Sequence, residues 1–321
     1  MSGARTRAAS VAGALALLAL SLGASRGEDL GGADNTAPPA SADDAGPAAL
    51  TGTLKAIRDK GLITIGYRES SFPFSFVREA AQPMGYSIDL CLGIAEEIKR
   101  ELAGAPVVVG YKPVTSETRL DAVASGAVDL ECGSTTSNLD RQKSVAFSPV
   151  IFVAGTKLLV KRDSGIKSYR DLTGKTLVVT SGTTNETAMR LLNDKYNLNI
   201  TIVAGKDHQD SYSMLVSGKA DAFATDDVLL YGFAVANHAQ ASLAVVGDYI
   251  TYEPYGIMYR KDDPEMADAV RQAFASMAKT GTLVATYHKW FLERTPTGES
   301  LELPLSLQLT ESLRALGVDE F

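Results

Sequence analysis

The chain has 321 residues, 45% of them hydrophobic and 21% charged, which is the balance of a soluble globular protein of about two domains. Its formal charge is −7; residues 1–27 contain Arg5, Arg7 and Arg26 and no acidic side chain, so removing them leaves −10. An acidic body of this kind argues against nucleic acid as the partner, and no stretch beyond the N-terminus approaches the about 20 apolar residues of a membrane span.

In chain order, Arg5 and Arg7 precede an apolar run from Ala8 to Leu22 and the small residues Gly23, Ala24 and Ser25, so residues 1–27 are expected to be a secretory signal. Residues 28–50, rich in Ala, Pro, Gly, Ser and Asp, are expected to be a disordered tether. Leu54, Ile57 and Leu62 give a short helical pattern, followed by the strand Leu62–Gly66 and then Arg68. Ile88, Cys91, Ala95, Ile98 and Leu102 fall on one stripe of a helix over 86–102, and Val107–Val109 supplies the next strand. Strands alternating with helices imply βαβ units and largely parallel sheets.

Residues 128–142 concentrate the chemistry. Val128, Leu130 and Cys132 alternate with Asp129 and Glu131 as in a strand buried on one face; Gly133 stops it, and Ser134, Thr135, Thr136 and Ser137 are placed at an expected helix start with Arg141 one turn in. That arrangement suits a small carboxylate; an ordinary hydroxyl cap is the alternative. Cys91 and Cys132 each lie on an apolar face, and in an exported protein they read as a disulfide, with two buried free thiols as the alternative. They do not make a metal site, and no metal or other cofactor is expected.

An internal echo follows. The stretches 123–130 and 215–222 share a helix end, a Ser-Gly stop and a strand that runs into polar residues, Ser134–Thr136 in the first and Thr225, Asp226 and Asp227 in the second. Between them, Val178–Thr180 leads into a hydroxyl turn in which Thr183 and Glu186 form an expected capping box for a helix to Tyr196. Two similar α/β halves would each carry a polar rim at their strand ends, where ligands of open sheets bind. Residues 252–263 read as an extended return to the first half, and 264–279 as a helix closed by Thr280-Gly281. Val270, Phe274, Met277 and Trp290 are core positions; the proline-interrupted tail from Thr295 has no assigned place.

The motifs Gly66–Ser75, Gly85–Leu90, Glu131–Thr136 with Arg141–Lys143, Thr180–Thr184, Lys206–His208 and Arg260–Pro264 occur in this order. Together they resemble the family 3 periplasmic solute-binding proteins, most closely members that bind glutamate and aspartate for polar amino-acid ABC importers, over residues 52 to about 315. The resemblance implies a two-lobe periplasmic binding protein fold of type II, an α/β fold in which each lobe is a mostly parallel sheet flanked by helices. The lobes would comprise 51–158 plus 257–321 and 159–256, joined by two crossovers and closing by hinge motion. It implies Arg141, Thr136, Ser134 and Thr184 on the α-carboxylate and Asp226 on the α-ammonium, with Arg68, Ser116, Arg119 and His208 around a side-chain carboxylate. It also implies a monomer in the periplasm that delivers L-glutamate or L-aspartate to an inner-membrane ABC permease. Three arginines against one or two aspartates suit a ligand with two carboxylates and one ammonium, held without a metal.

The sequence departs from the family pattern at Tyr67, Phe72 and Ile257, the last standing where a disulfide cysteine would be expected, so Cys132 must pair elsewhere if at all. Alternative readings make Arg68 and Arg119 surface ion-pair residues, His208 a solvated loop histidine, and Asp227 a cap or lobe-contact residue. Other functions on the scaffold are a binder of another polar amino acid or a cyclohexadienyl (prephenate or arogenate) dehydratase-like enzyme. The latter needs an acid in the cleft, for which Glu69 is the nearest candidate; the reading favoured is a binding protein and not an enzyme.

Overall fold

A computed structural model describes residues 50–78 and 82–318; the expected signal at 1–27 and all but the last residue of the expected tether lie outside the described residues. The described chain opens with α1 (Gly52–Lys60), which buries Leu54 and Ile57 and ends at Gly61, whose φ of 66° lies in the left-handed region. There follow β1 (Leu62–Tyr67), the short strands β2 (Ser70–Ser71) and β3 (Ser75–Phe76), α2 (Tyr86–Glu101), β4 (Val108–Pro113), α3 (Arg119–Ala124) and β5 (Leu130–Glu131). A 3-10 turn (Arg141–Lys143), β6 (Val145–Phe147) and β7 (Phe152–Ala154) lead to β8 (Thr156–Lys161), β9 (Thr176–Thr180), α4 (Thr184–Tyr196), β10 (Thr201–Gly205) and α5 (His208–Val216). The chain continues through β11 (Ala222–Asp226), α6 (Asp227–Ala236), β12 (Leu243–Val246), β13 (Glu253–Tyr255), β14 (Met258–Arg260), α7 (Pro264–Lys279), α8 (Thr282–Tyr287), a π turn (His288–Leu292) and α9 (Leu307–Arg314).

The strands form two five-stranded sheets, ordered β4-β1-β5-β14-β6 and β10-β9-β11-β8-β12. In each, three strands are parallel, and antiparallel strands extend one side. The wiring is duplicated: β1-α2-β4-α3-β5 and β9-α4-β10-α5-β11 place their first strand between the other two. The echo seen in sequence falls at matching corners, where α3 and α5 both stop at a serine and turn through a left-handed glycine, Gly126 at φ 72° and Gly218 at φ 78°. In both halves the connections leave the middle strand to opposite sides, so the crevice beyond β1 and β9 is a topological switch point. Between the sheets, β7 and β13 pair antiparallel as the chain crosses over and returns.

The stripe Ile88, Cys91, Ala95, Ile98 and Leu102 is buried against the first sheet, as its spacing predicts. Val270, Phe274, Met277 and Trp290 join the same core, with the Trp290 indole N–H donating to Asp89 Oδ2 at 2.7 Å. The tail finds its place there as well: Ser306 caps α9, which packs Leu309 and Leu313 into this core together with Val318. Cys91 and Cys132 are bonded, with Cα atoms 6.3 Å apart, fastening α2 to the loop after β5.

One local expectation fails. Residues 128–142 are not strand, turn and helix: β5 covers only Leu130–Glu131, and Arg141 begins a 3-10 turn after an extended loop. The backbone of that loop is already engaged, since Thr136 bridges to Tyr255, the Ser137 N–H donates to Pro254 O at 2.7 Å and Gly256 N–H donates to Thr135 O at 3.1 Å. Groups paired sideways to the return strand are not available to start a helix.

Breaking the disulfide releases a closed loop spanning a sequence separation of 41 residues, so replacing both cysteines with alanine should lower the urea unfolding free energy by about 4 kcal/mol. A loss below about 1 kcal/mol would show that packing of α2, not the cross-link, fixes the loop after β5.

Candidate functional site

The nine candidate side chains lie at or beyond the C-terminal ends of six strands, β1, β4, β5, β9, β10 and β11. Arg68 follows β1; Ser116 and Arg119 stand before and at the start of α3; Ser134, Thr136 and Arg141 follow β5. From the second half, Thr184 opens α4 after β9, His208 opens α5, and Asp226 ends β11. Seven are buried; Arg141 and Thr184 are half-buried. His208 is not a solvated loop residue, and Arg68 and Arg119, each 2% exposed, are not surface charges.

On the basic side, Arg119 Nη1 donates to Thr135 Oγ1 at 2.6 Å and to Ser134 O at 3.3 Å, and the Thr135 hydroxyl donates to Glu131 Oε2 at 2.7 Å. Arg141 Nη1 donates to Thr136 O at 2.9 Å. Burial lowers all three guanidinium pKa values, Arg68 to about 9 and Arg141 to about 10; the neighbouring Arg119 charge lowers both further, while Glu131 opposes the shift in each. Even so, Arg68 and Arg141 remain charged at neutral pH. His208 shares a 2.9 Å hydrogen bond between Nδ1 and Thr180 Oγ1, and burial, then the charges of Arg68 and Arg119, holds it well below the usual imidazole range. It therefore faces the arginines as a neutral ring.

Arg68 Nη1, Arg119 Nε, Ser116 Oγ, Ser134 Oγ and Glu131 Oε1 are buried with no partner among the described residues. Buried polar groups are normally paired. Here four atoms that can donate are left over, one each on Arg68, Ser116, Arg119 and Ser134.

The opposite side is acidic. Asp226 Oδ1 accepts from Asn185 Nδ2 at 2.7 Å, and Oδ2 accepts the Tyr255 hydroxyl. Burial first, and then the nearby Glu253, pushes the Asp226 carboxyl up to about 7. Glu253, 2% exposed on β13, accepts through Oε2 from Thr136 Oγ1 at 2.5 Å and Thr184 Oγ1 at 2.8 Å, one hydroxyl from each sheet's side of the crevice. A second bond across the crevice joins Ser181 Oγ to Glu117 Oε1 at 2.7 Å.

The sequence reading missed Glu131, Glu253, Asn185 and Tyr255. Glu131 alternates with apolar neighbours and read as the outer face of a strand; Glu253 and Tyr255 sat in a segment read only as a return. The available signal was an acidic residue inside an otherwise aromatic and proline-containing crossover. Two expectations are altered as a result: the arginines face three buried carboxylates, not one or two, and the Thr136 and Thr184 hydroxyls are already donated to Glu253. Glu69, the acid considered for a dehydratase, is exposed and borders a recess with Phe72, Arg78, Asp207 and Asn237. Asp227 accepts from Gly155 N–H at 3.3 Å, in the segment that crosses between the sheets, and from the Tyr249 hydroxyl at 2.8 Å. Among the described residues no cluster of His, Cys, Asp and Glu is placed to hold a metal ion, and no helix is long and apolar enough to cross a membrane.

Residues 63–293 match the sequence pattern of the bacterial extracellular solute-binding proteins, family 3. The chain is 43% identical over 262 residues to the L-glutamate/L-aspartate-binding protein of Pseudomonas aeruginosa, covering 81% of this chain and 87% of that one. It is 40% identical over 277 residues to the glutamate/aspartate import solute-binding protein of Escherichia coli, covering 86% and 90%. Among solved structures, it resembles an ancestral amino acid-binding protein described as a precursor of cyclohexadienyl dehydratase, at 32% identity and a TM-score of 0.64, covering 74% of this chain and 99% of that one.

The raised Asp226 carboxyl has a consequence for stability. Its folded pKa of about 7 exceeds the ordinary 3.8, so the folded state holds a proton that the unfolded chain releases, and this group's penalty grows as pH rises from about 4 to 7. Asp226→Asn should therefore melt later than the unsubstituted ligand-free chain at pH 8, by an amount equivalent to as much as about 4 kcal/mol, and close to it at pH 4.5. A constant difference across that range would contradict the assignment.

Proposed function

Because this chain belongs to the bacterial extracellular solute-binding proteins of family 3, we propose that it captures L-glutamate or L-aspartate in the periplasm and delivers it to an inner-membrane ABC permease. The observation that carries the ligand class is the group of buried, unpartnered guanidinium and hydroxyl atoms facing a pair of carboxylates across one crevice. Arg68, Arg119, Ser116 and neutral His208 take the side-chain carboxylate. Arg141, with Ser134, Thr136 and Thr184, takes the α-carboxylate, and Asp226 takes the α-ammonium.

This division follows from charge. Two guanidinium groups with spare N–H donors in a water-poor pocket favour a second carboxylate strongly over an amide, because each bond is charge-assisted at both ends. Arg119 is held by Thr135 and Glu131, so its free edge is fixed before the ligand arrives and little side-chain entropy is lost on binding. The first lobe is taken as 51–158 with 257–321 and the second as 159–256. The β7–β13 ribbon between them serves as the hinge, so that closure brings Thr184, His208 and Asp226 onto the arginines. A monomer suffices for this work, and the Cys91–Cys132 bond suits an oxidising compartment.

A thermal-shift panel of the twenty amino acids should raise the melting temperature with glutamate and aspartate alone, by the equivalent of about 2.7 kcal/mol at 100 times the dissociation constant. No shift with either acid would overturn the reading. Arg141→Ala should abolish binding of any α-amino acid, whereas Arg119→Ala should weaken glutamate about tenfold to hundredfold and any residual glutamine binding much less. Equal losses for glutamate and glutamine in Arg119→Ala would refute the split between the α and distal ends.

A further inference from the structure

Glu253 has no place in the clamp implied by family resemblance, yet hydroxyls from both lobes converge on it. Its Oε2 takes the hydroxyls of Thr136 and Thr184, and two residues along β13 the Tyr255 hydroxyl is donated to Asp226. The strand thus brings Glu253 close to Asp226, in a buried pocket where the Glu253 charge makes ionisation of Asp226 more costly. The groups facing Asp226 are Glu253 and Tyr255 from β13, Asn185 from α4 and Asp227 from α6, with the charges of Arg119 and Arg141 within reach. Neither guanidinium hydrogen-bonds to either carboxylate among the described residues; both donate to loop oxygens instead. Two adjacent buried carboxylates without a bonded cation are an incomplete arrangement.

We propose that Glu253 shares the ligand's α-ammonium with Asp226, and that this pair, not Asp226 alone, makes the site require an amino group. The inference rests on the reading of the protein as an acidic amino-acid binder. A zwitterion entering the crevice exchanges partners with Glu253: its α-carboxylate takes the Thr136 and Thr184 hydroxyls, and its three ammonium N–H bonds replace them as donors to Glu253 and Asp226. A ligand with the same carboxylates and no ammonium would take those hydroxyls and return nothing, leaving two buried carboxylates facing each other. With a cation between them Asp226 no longer retains a proton, so at pH 7 binding of the amino acid is accompanied by proton release.

The test is calorimetric titration of the full chain with L-glutamate and with glutarate, which has the same two carboxylates and no amino group. The unsubstituted chain should bind glutamate at least about a hundredfold more tightly, and Glu253→Gln should weaken glutamate about tenfold while leaving glutarate within about threefold, narrowing the ratio. Repeating the titration at pH 7 in buffers of different ionisation heat should show release of up to ~0.5 proton with glutamate and none with glutarate. Equal weakening of both ligands in Glu253→Gln, or glutamate binding without proton release, overturns the proposal. If Glu253→Gln does not fold, Glu253→Asp, which keeps the charge on a shorter arm, is titrated in its place, and glutamate binding unchanged within about threefold overturns the proposal. An unsubstituted chain that binds neither ligand overturns the underlying reading, and this inference with it; one that binds glutarate as tightly as glutamate overturns only the role given to the ammonium pair.

Discussion

Three guanidinium groups held largely out of water set the terms for this molecule. Arg68 and Arg119 are buried and Arg141 half-buried, and desolvation lowers all three pKa values. Such groups stay charged in a protein interior only where carboxylates and oriented dipoles replace water. Glu131, Asp226 and Glu253 supply the carboxylates, from β5, β11 and β13. The count is balanced while the pairing is not, since no ion pair joins any of the three arginines to any of the three acids among the described residues. Charge held in balance but short of hydrogen-bond partners is what a small zwitterion with an extra carboxylate can complete.

The duplicated wiring explains how the chain brings these groups together. Each half sends its connections to opposite sides of a middle strand, opening a crevice at that strand's end, and both crevices receive the residues that immediately follow. Nothing in one half alone satisfies the chemistry. The first contributes Arg68, Arg119 and Arg141, and the second contributes Asp226, His208 and the hydroxyl of Thr184, so the proposed site draws on both halves.

What the sequence revealed, and what it concealed, follows from the range of the interactions involved. The stripe on α2, the Thr183 cap of α4, the Asp263 and Pro264 start of α7 and the paired Ser-Gly stops are decided by neighbours within a few residues, and they are legible as spacing. The loop from Ser134 to Asp140 resisted because its conformation is set by Pro254, Tyr255 and Gly256, more than a hundred residues away. Glu131 looked like the solvent face of a strand because alternation cannot tell a wet face from one that lines a polar crevice. His208 was recognised through its motif, but its neutral state follows from burial and from two arginines distant in sequence, neither of which a motif encodes.

The return strand β13 carries part of this chemistry. Residues two apart on a strand share a face, and on β13 Glu253 and Tyr255 are both buried while Pro254 between them is half-buried. One reaches hydroxyls from both sides, and the other reaches Asp226. Their strand is half of the β7–β13 ribbon that carries the chain between the sheets. On the hinge proposed above, rotation of one sheet against the other would twist that ribbon, and with it the backbone that bears these two side chains.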